Sequence, residues 1–186
     1  MKRTIPLILM FLLGVGLLGA ADLQVGVLGG LRTVADSNLS DVYGSGLAIT
    51  PFAAIDLAKG FSLGAAWTLG YSREEPIGLL GDPSKFCMSA IELFGRYRFE
   101  AGKVDPFVKA GVAFTSYSQT IAAAGVDLDE SAVGLLLGAG AEYPVGKRLS
   151  LIGELGYTLL KVDPLGTDVN LGGFRFQVGA AYSFTL

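Results

Sequence analysis

The sequence predicts an all-β chain: eight antiparallel strands closing an up-and-down transmembrane barrel, preceded by a cleavable leader. Three observations predict it. Apolar and polar residues alternate in eight separate segments, the greasy face so formed carries no charge, and short and long connections take turns between segments. Residues 61 to 72 show the alternation most clearly, with Phe61, Leu63, Ala65, Trp67, Leu69 and Tyr71 apolar and every intervening position small or hydroxylic. Side chains of a strand point alternately to its two faces, so one face is apolar and the other small and polar.

The leader comes first. Lys2 and Arg3 precede an apolar run from Ile5 to Leu18, and Gly19, Ala20 and Ala21 supply the small residues a signal peptidase accepts. Residues 1–21 therefore read as a signal peptide, with cleavage after Ala21, or alternatively after Ala20. The run is short of the roughly 20 residues a membrane helix requires. Residues 22–186 then form one domain, without a linker or a shift in composition. The lone Cys87 has no partner for an internal disulfide. Removing Lys2 and Arg3 from the 14 basic residues leaves 12 against 17 acidic ones, a formal charge of −5. Such a surface does not attract nucleic acid.

The strands follow in order near 22–31, 46–57, 61–72, 86–99, 106–117, 132–143, 149–159 and 172–186. Each has about the 9–11 residues or more that a tilted strand needs to cross a bilayer. The 27 glycines argue against helix. The apolar face carries Leu47, Ile49, Ala53, Ile55 and Leu57 on the second strand; Ile91, Leu93, Tyr97 and Phe99 on the fourth; and Val108, Ala110, Val112 and Phe114 on the fifth. It continues with Val133, Leu135, Leu137, Ala139 and Tyr143, then Leu149, Leu151, Leu155 and Tyr157, and finally Phe174, Phe176, Val178, Tyr182 and Phe184. A charged residue here would cost about 2–4 kcal/mol at mid-depth in hydrocarbon. Its aromatics band into two girdles, Phe61, Tyr97, Phe99, Tyr143, Tyr182 and Phe184 beside the short turns and Trp67, Tyr71, Phe114, Tyr157 and Phe174 toward the long loops.

Connections support the same topology. Short turns run through Ala58 to Gly60, Glu100 to Asp105 and Pro144 to Arg148, and loops of about 10–14 residues follow the odd strands, the rhythm of a barrel with both termini on one side of the membrane.

The other face holds Gly64, Gly70, Gly111, Gly134, Gly138, Gly140, Gly156 and Gly179 together with Asp56, Glu92, Arg96, Arg98, Lys109, Glu142, Glu154 and Arg175. Four acids balance four bases, so the interior is expected to be a network of ion pairs, because an isolated buried charge is costly. Glu154 and Arg175 fall almost opposite one another. Arg96 and Lys109 face each other across the 100–105 turn and are expected to share an acid, Glu92 or Glu142. Inward glycines leave room for these long side chains in an interior only wide enough for side chains to fill. The network can serve as a plug that fixes the fold or as a gate on an ion path.

Catalysis finds no support. The chain has no histidine, which removes a serine activated by histidine, and Cys87 has no base beside it. Glu74 and Glu75 read as a solvated loop. Asp127, Asp129 and Glu130 lack the spacing of a calcium loop, so no metal site, cofactor or catalytic residue is expected. The long loops carry Asp36, Asp41, Glu74, Glu75, Asp82, Asp127, Asp129, Glu130, Asp163 and Asp168 against Arg73, Lys85 and Lys161, an acidic crown suited to cations or to a basic surface ligand.

With the leader, the strands, the loop rhythm and the final strand Phe174 to Leu186 in view, the chain resembles the small eight-stranded outer-membrane barrels: the OmpA transmembrane domain, OmpX-like and opacity-type proteins. The resemblance implies a bacterial outer membrane location with periplasmic termini, contact with outer-membrane lipid and lipopolysaccharide, and recognition of the last strand by the barrel-assembly machinery. Tyr182, Phe184 and Leu186 match the family's alternating terminus, though a terminal Phe is usual. The function implied is a structural or surface-contact role in the envelope. The alternative is a narrow OmpW-like or porin-like channel for small solutes.

Overall fold

A computed structural model describes residues 22–36, 41, 44–58, 60–77, 82–121, 126–162 and 169–185. The leader, Lys59, Asp163, Asp168 and Leu186 lie outside these residues. The ten strands are β1 (Asp22–Arg32), β2 (Gly46–Ala58), β3 (Phe61–Ile77), β4 (Asp82–Arg98), β5 (Asp105–Ile121), β6 (Val126–Pro144), β7 (Leu149–Leu159), β8 (Lys161–Val162), β9 (Val169–Asn170) and β10 (Gly173–Thr185). Eight of them close a barrel in the order β1-β10-β7-β6-β5-β4-β3-β2, and β8 pairs with β9 as a separate ribbon. Every barrel pairing is antiparallel, and β1 closes the ring between β10 and β2. Full closure leaves no strand edge in the hydrocarbon, where an unpaired backbone group has no water to bond.

The expected face sorting is present. Leu47, Val133, Leu135, Phe174 and Phe176 are each more than half exposed, and Trp67, Tyr97, Phe99, Phe114, Tyr143, Tyr182 and Phe184 are also exposed. So much open apolar surface fits lipid rather than water. Rings touch within each girdle: Tyr97 and Phe99 lie 4.9 Å apart and Tyr182 and Phe184 4.8 Å apart at the turn end, and Tyr157 and Phe174 4.7 Å apart toward the loop end. Ile55 shares the outward parity but is only 4% exposed, flanked in register by Leu23 and Leu63.

Gly60, with φ of 80°, makes the turn from β2 to β3, where a Cβ would stand 2.3 Å from the Arg98 carbonyl oxygen. Only glycine takes that backbone without strain.

Two features depart from the sequence reading. The segments expected as loops after the third and fifth strands are largely strand: β3 and β4 pair as far as Ile77 and Asp82, and β5 and β6 as far as Ile121 and Val126. Glu74 and Glu75 thus lie in a hairpin, with Glu74 bound to Lys85 at 2.9 Å. Among the described residues, these four strands consequently extend past the other barrel strands as a wall. The second departure is a bulge in β3. Thr68 stands opposite Ala90 but Tyr71 opposite Met88, so three steps on β3 match two on β4. Gly70, with φ of 99°, occupies the bulge. The extra residue reverses the alternation beyond it, as bulges do. Ser72, expected inside, is exposed on the outer face opposite Cys87, and Tyr71, expected in the loop-end girdle, takes the register of the inward Met88.

Candidate functional site

Inward side chains fill the barrel in layers. Nearest the turns, Arg98 binds Asp56 at 3.1 Å and Glu142 at 3.4 Å, and Arg96 lies 3.8 Å from each of the same two acids. Gln24 knits this layer: its amide donates to Glu142 at 2.8 Å and its oxygen accepts from Arg96 at 2.8 Å, while Arg96 Nε donates to Ser62 at 3.2 Å. Two acids and two arginines sum to zero.

In the second polar layer two acids again face two bases, and Arg32, a further buried cation that the sequence reading passed over, stands opposite Arg175 in register. Glu154 accepts from Lys109 Nζ at 2.5 and 2.7 Å and from Arg175 Nη2 at 3.0 Å. Arg175 places both terminal nitrogens on Glu92, with Nη2 at 3.1 Å from Oε2 and Nη1 bonded to Oε1. Thr68 donates to Glu92 at 2.8 Å, Thr50 lies 3.1 Å from Thr68, and Gln177 donates to Thr50 at 2.8 Å. All seven of these side chains are less than a tenth exposed. Good geometry with extra hydrogen bonds is what allows buried charge to persist.

An aromatic septum separates the two polar layers. Phe52, Phe94, Phe107 and Ile152 belong to one buried apolar cluster, with Arg96 over the Phe107 ring at 5.5 Å and Lys109 over the Phe94 ring at 4.9 Å. Each ring lies across the sheet from a glycine: Phe52 from Gly26, Phe94 from Gly64 and Phe107 from Gly140. A Cβ on those glycines would approach the rings to 2.6, 2.5 and 2.4 Å. The inward glycines therefore seat aromatic rings as well as making space for charge, an arrangement that pins register. The cavity left at this level is about 10 Å³, near the minimum for one water.

Above the second polar layer, Val34, Phe86, Met88, Tyr117, Leu160, Val162 and Leu171 form an apolar cap, with Ala132 and Val169 against it. The β8-β9 ribbon brings Leu160, Val162 and Leu171 inward, and backbone bonds from Ala35 to Gly172 (2.8 Å) and Asp36 to Asn170 (3.0 Å) tie it to the end of β1. Tyr117 donates to Glu130 at 2.7 Å; burial and that carboxylate push its phenol up to about 12.

The eight charges expected in the lumen are all gathered there, and the expected Glu154–Arg175 pair is present. The expected shared acid is not. Arg96 and Lys109 do stand opposite in register, but Arg96 goes to Asp56 and Glu142 while Lys109 goes to Glu154. Asp129 and Glu130, grouped in the sequence reading, point to opposite faces of β6, Glu130 toward Tyr117 and Asp129 into an outer groove.

A family model for the outer membrane protein beta-barrel domain matches residues 8–184. The chain belongs to that family. This barrel is accordingly a bacterial outer-membrane protein. Among solved structures it is similar to Neisserial surface protein A (17% identity over 89% of this chain and 99% of that one, TM-score 0.64). It is similar also to OprG of Pseudomonas aeruginosa (13%, 90% and 97%, TM-score 0.71) and to Ail of Yersinia pestis, solved with the heparin analogue sucrose octasulfate (13%, 89% and 99%, TM-score 0.60). At these identities the likeness is one of fold. No curated protein sequence matches the chain.

Sequence reasoning passed over Phe52, Phe94, Phe107, Phe86 and Tyr117, along with Gln24, Gln177, Thr50 and Thr68. The signal was available, since all share the parity of the lumen charges: Phe94 lies between Glu92 and Arg96, and Phe107 two residues before Lys109.

Proposed function

We propose that this outer-membrane barrel is a non-catalytic surface-contact protein, with the turn end and both termini in the periplasm and the wall outside the cell. One observation carries the reading: among the described residues, side chains occupy the lumen from Arg98 to the cap, whereas β3 to β6 extend past the lipid-facing rows. Investment in a four-stranded projection above a filled interior suits contact better than passage. Ail, whose name is attachment invasion locus protein, and Neisserial surface protein A share the fold and support such a role by analogy only. The acidic rim favours a basic partner, unlike a polysulfated ligand such as that bound by Ail. Liposomes carrying the folded protein should adhere to polylysine-coated surfaces in preference to heparin-coated ones. Adhesion should fall with salt and with shortening of the β3-β4 and β5-β6 hairpins, the heat-modifiable band remaining intact. Equal adhesion after shortening, or preference for heparin, contradicts the reading.

The channel reading retains one observation in its favour, because the cap is built from connections rather than from barrel strands. It predicts that Leu160→Ser with Leu171→Ser raises conductance.

A further inference from the structure

We propose that the outer face of the wall is a docking ledge for the uncharged glycosyl headgroup of an outer-leaflet lipid. The inference takes the wall's orientation from the function proposed above. Cross-strand register sorts the outer face into rows. Trp67, Ile91, Phe114 and Val133 stand in line on β3 to β6, and with Leu69 one step beyond them on β3, opposite the exposed Ile49, they end the apolar surface of these strands. The next row is Ser89, Ser116 and Ser131, and the one beyond it Ser72, Cys87, Ser118 and Asp129. Glu74, Lys85, Thr120 and Asp127 share the register of a fourth. Lipid-facing surface thus changes to hydroxyl and then to charge within three steps.

Height identifies what meets the hydroxyls. Successive rows are two residues apart, about 6–7 Å along a strand, and the headgroup layer adds roughly 5–7 Å to each side of the hydrocarbon core. Both serine rows therefore lie at or just above headgroup level. Ser72, Cys87, Ser89, Ser116, Ser118 and Asp129, with Gly70, Met88 and Tyr117 between them, line an open groove of about 300 Å³ there, within the range of small-ligand sites. The β3 bulge completes this groove, because without the extra residue Ser72 would face the lumen.

Chemistry selects the headgroup class. A hydroxyl both donates and accepts, which suits the hydroxyls of a sugar, and the half-exposed Trp67 and Phe114 rings just below suit its C–H face. A phosphate needs cationic donors. The three rows nearest the lipid contain no Lys or Arg, Asp129 repels an anion, and Lys85 is held by Glu74. Lipopolysaccharide, rich in phosphate, is thereby disfavoured on this face.

Trp67, the one tryptophan of the chain, reports from the row below. The full mature chain would be folded into phosphatidylcholine nanodiscs doped with monoglucosyl diacylglycerol, phosphatidylglycerol or lipopolysaccharide. Trp67 emission should respond saturably to the glucosyl lipid at about tenfold lower mole fraction than to the anionic lipids, the discrimination one or two net hydrogen bonds supply. Ser89→Ala with Ser116→Ala should remove that preference and Ser116→Thr should keep it, all with an intact heat-modifiable band. An equal response to phosphatidylglycerol or lipopolysaccharide, a preference that survives the alanines, or the same shift from soluble maltotriose overturns the proposal. Labelling of Cys87 by an impermeant maleimide on intact cells checks the orientation separately, so failure of the surface reading and failure of the ledge give different results.

Discussion

Glu92→Met is the sharpest test of how the lumen holds together. Glu92 receives both terminal nitrogens of Arg175 and the Thr68 hydroxyl, and with Glu154 it balances Lys109 and Arg175. Removing the carboxylate leaves Lys109 and Arg175 to share Glu154, one uncompensated positive charge among these three buried groups, with the buried Arg32 opposite Arg175. Breaking a buried pair by removing one partner costs about 3–5 kcal/mol, two to four powers of ten in the folding equilibrium. Adding Arg175→Met restores neutrality, since Lys109 and Glu154 still bind one another, and replacing a buried pair by apolar groups is often near neutral. The double variant should therefore recover most of the loss. Urea unfolding in lipid followed by Trp67 fluorescence, with the heat-modifiable band as an independent check, measures both. A single variant within about 1 kcal/mol of wild type, or a double variant less stable than the single, would refute charge balance as the organising rule.

Other outcomes follow from particular contacts. Phe107→Ala uncovers Gly140 and opens the septum, and should cost about 3–5 kcal/mol in the same unfolding assay. Leu135→Arg, in the lipid-facing band, should cost about 2–4 kcal/mol, whereas Ser118→Arg, above that band, should cost at most about 1 kcal/mol; equal penalties would misplace the membrane boundary. Tyr117, which ionises near 12 rather than its ordinary 10.0, should contribute stability that is complete below about pH 10 and lost as pH rises through 12. Comparing alkaline unfolding of wild type with Tyr117→Phe, and following phenolate absorbance, checks the direction.

Parity made most of the barrel legible. Lipid tolerates no charge, so the outer faces of β2, β4, β5, β6, β7 and β10 announce themselves, and the eight ionic residues are forced inward together. The girdle residues on the unbroken strands followed for the same reason. What parity cannot reveal is a change of phase: one extra residue at Gly70 moved Ser72 out, and Gly-Tyr-Ser reads equally well either way. The height of the wall was hidden because Arg73 to Pro76 and Asp127 to Ser131 have the composition of solvated loops, while tertiary pairing across each hairpin keeps them in strands. Pairing inside the lumen depends on depth and on side-chain reach. Arg96 and Lys109 are cross-strand neighbours, but Arg96 lies over Phe107 and reaches Asp56 and Glu142 while Lys109 lies over Phe94 and reaches Glu154.

Planar-bilayer recording of the folded mature chain tests the central claim, a filled lumen beneath a contact-making wall, most directly. With two layers of ion pairs, an aromatic cluster and an apolar cap in series, wild-type protein should show no reproducible conductance steps. Reproducible steps from preparations carrying only the heat-modifiable folded band would contradict it and return the barrel to the channels.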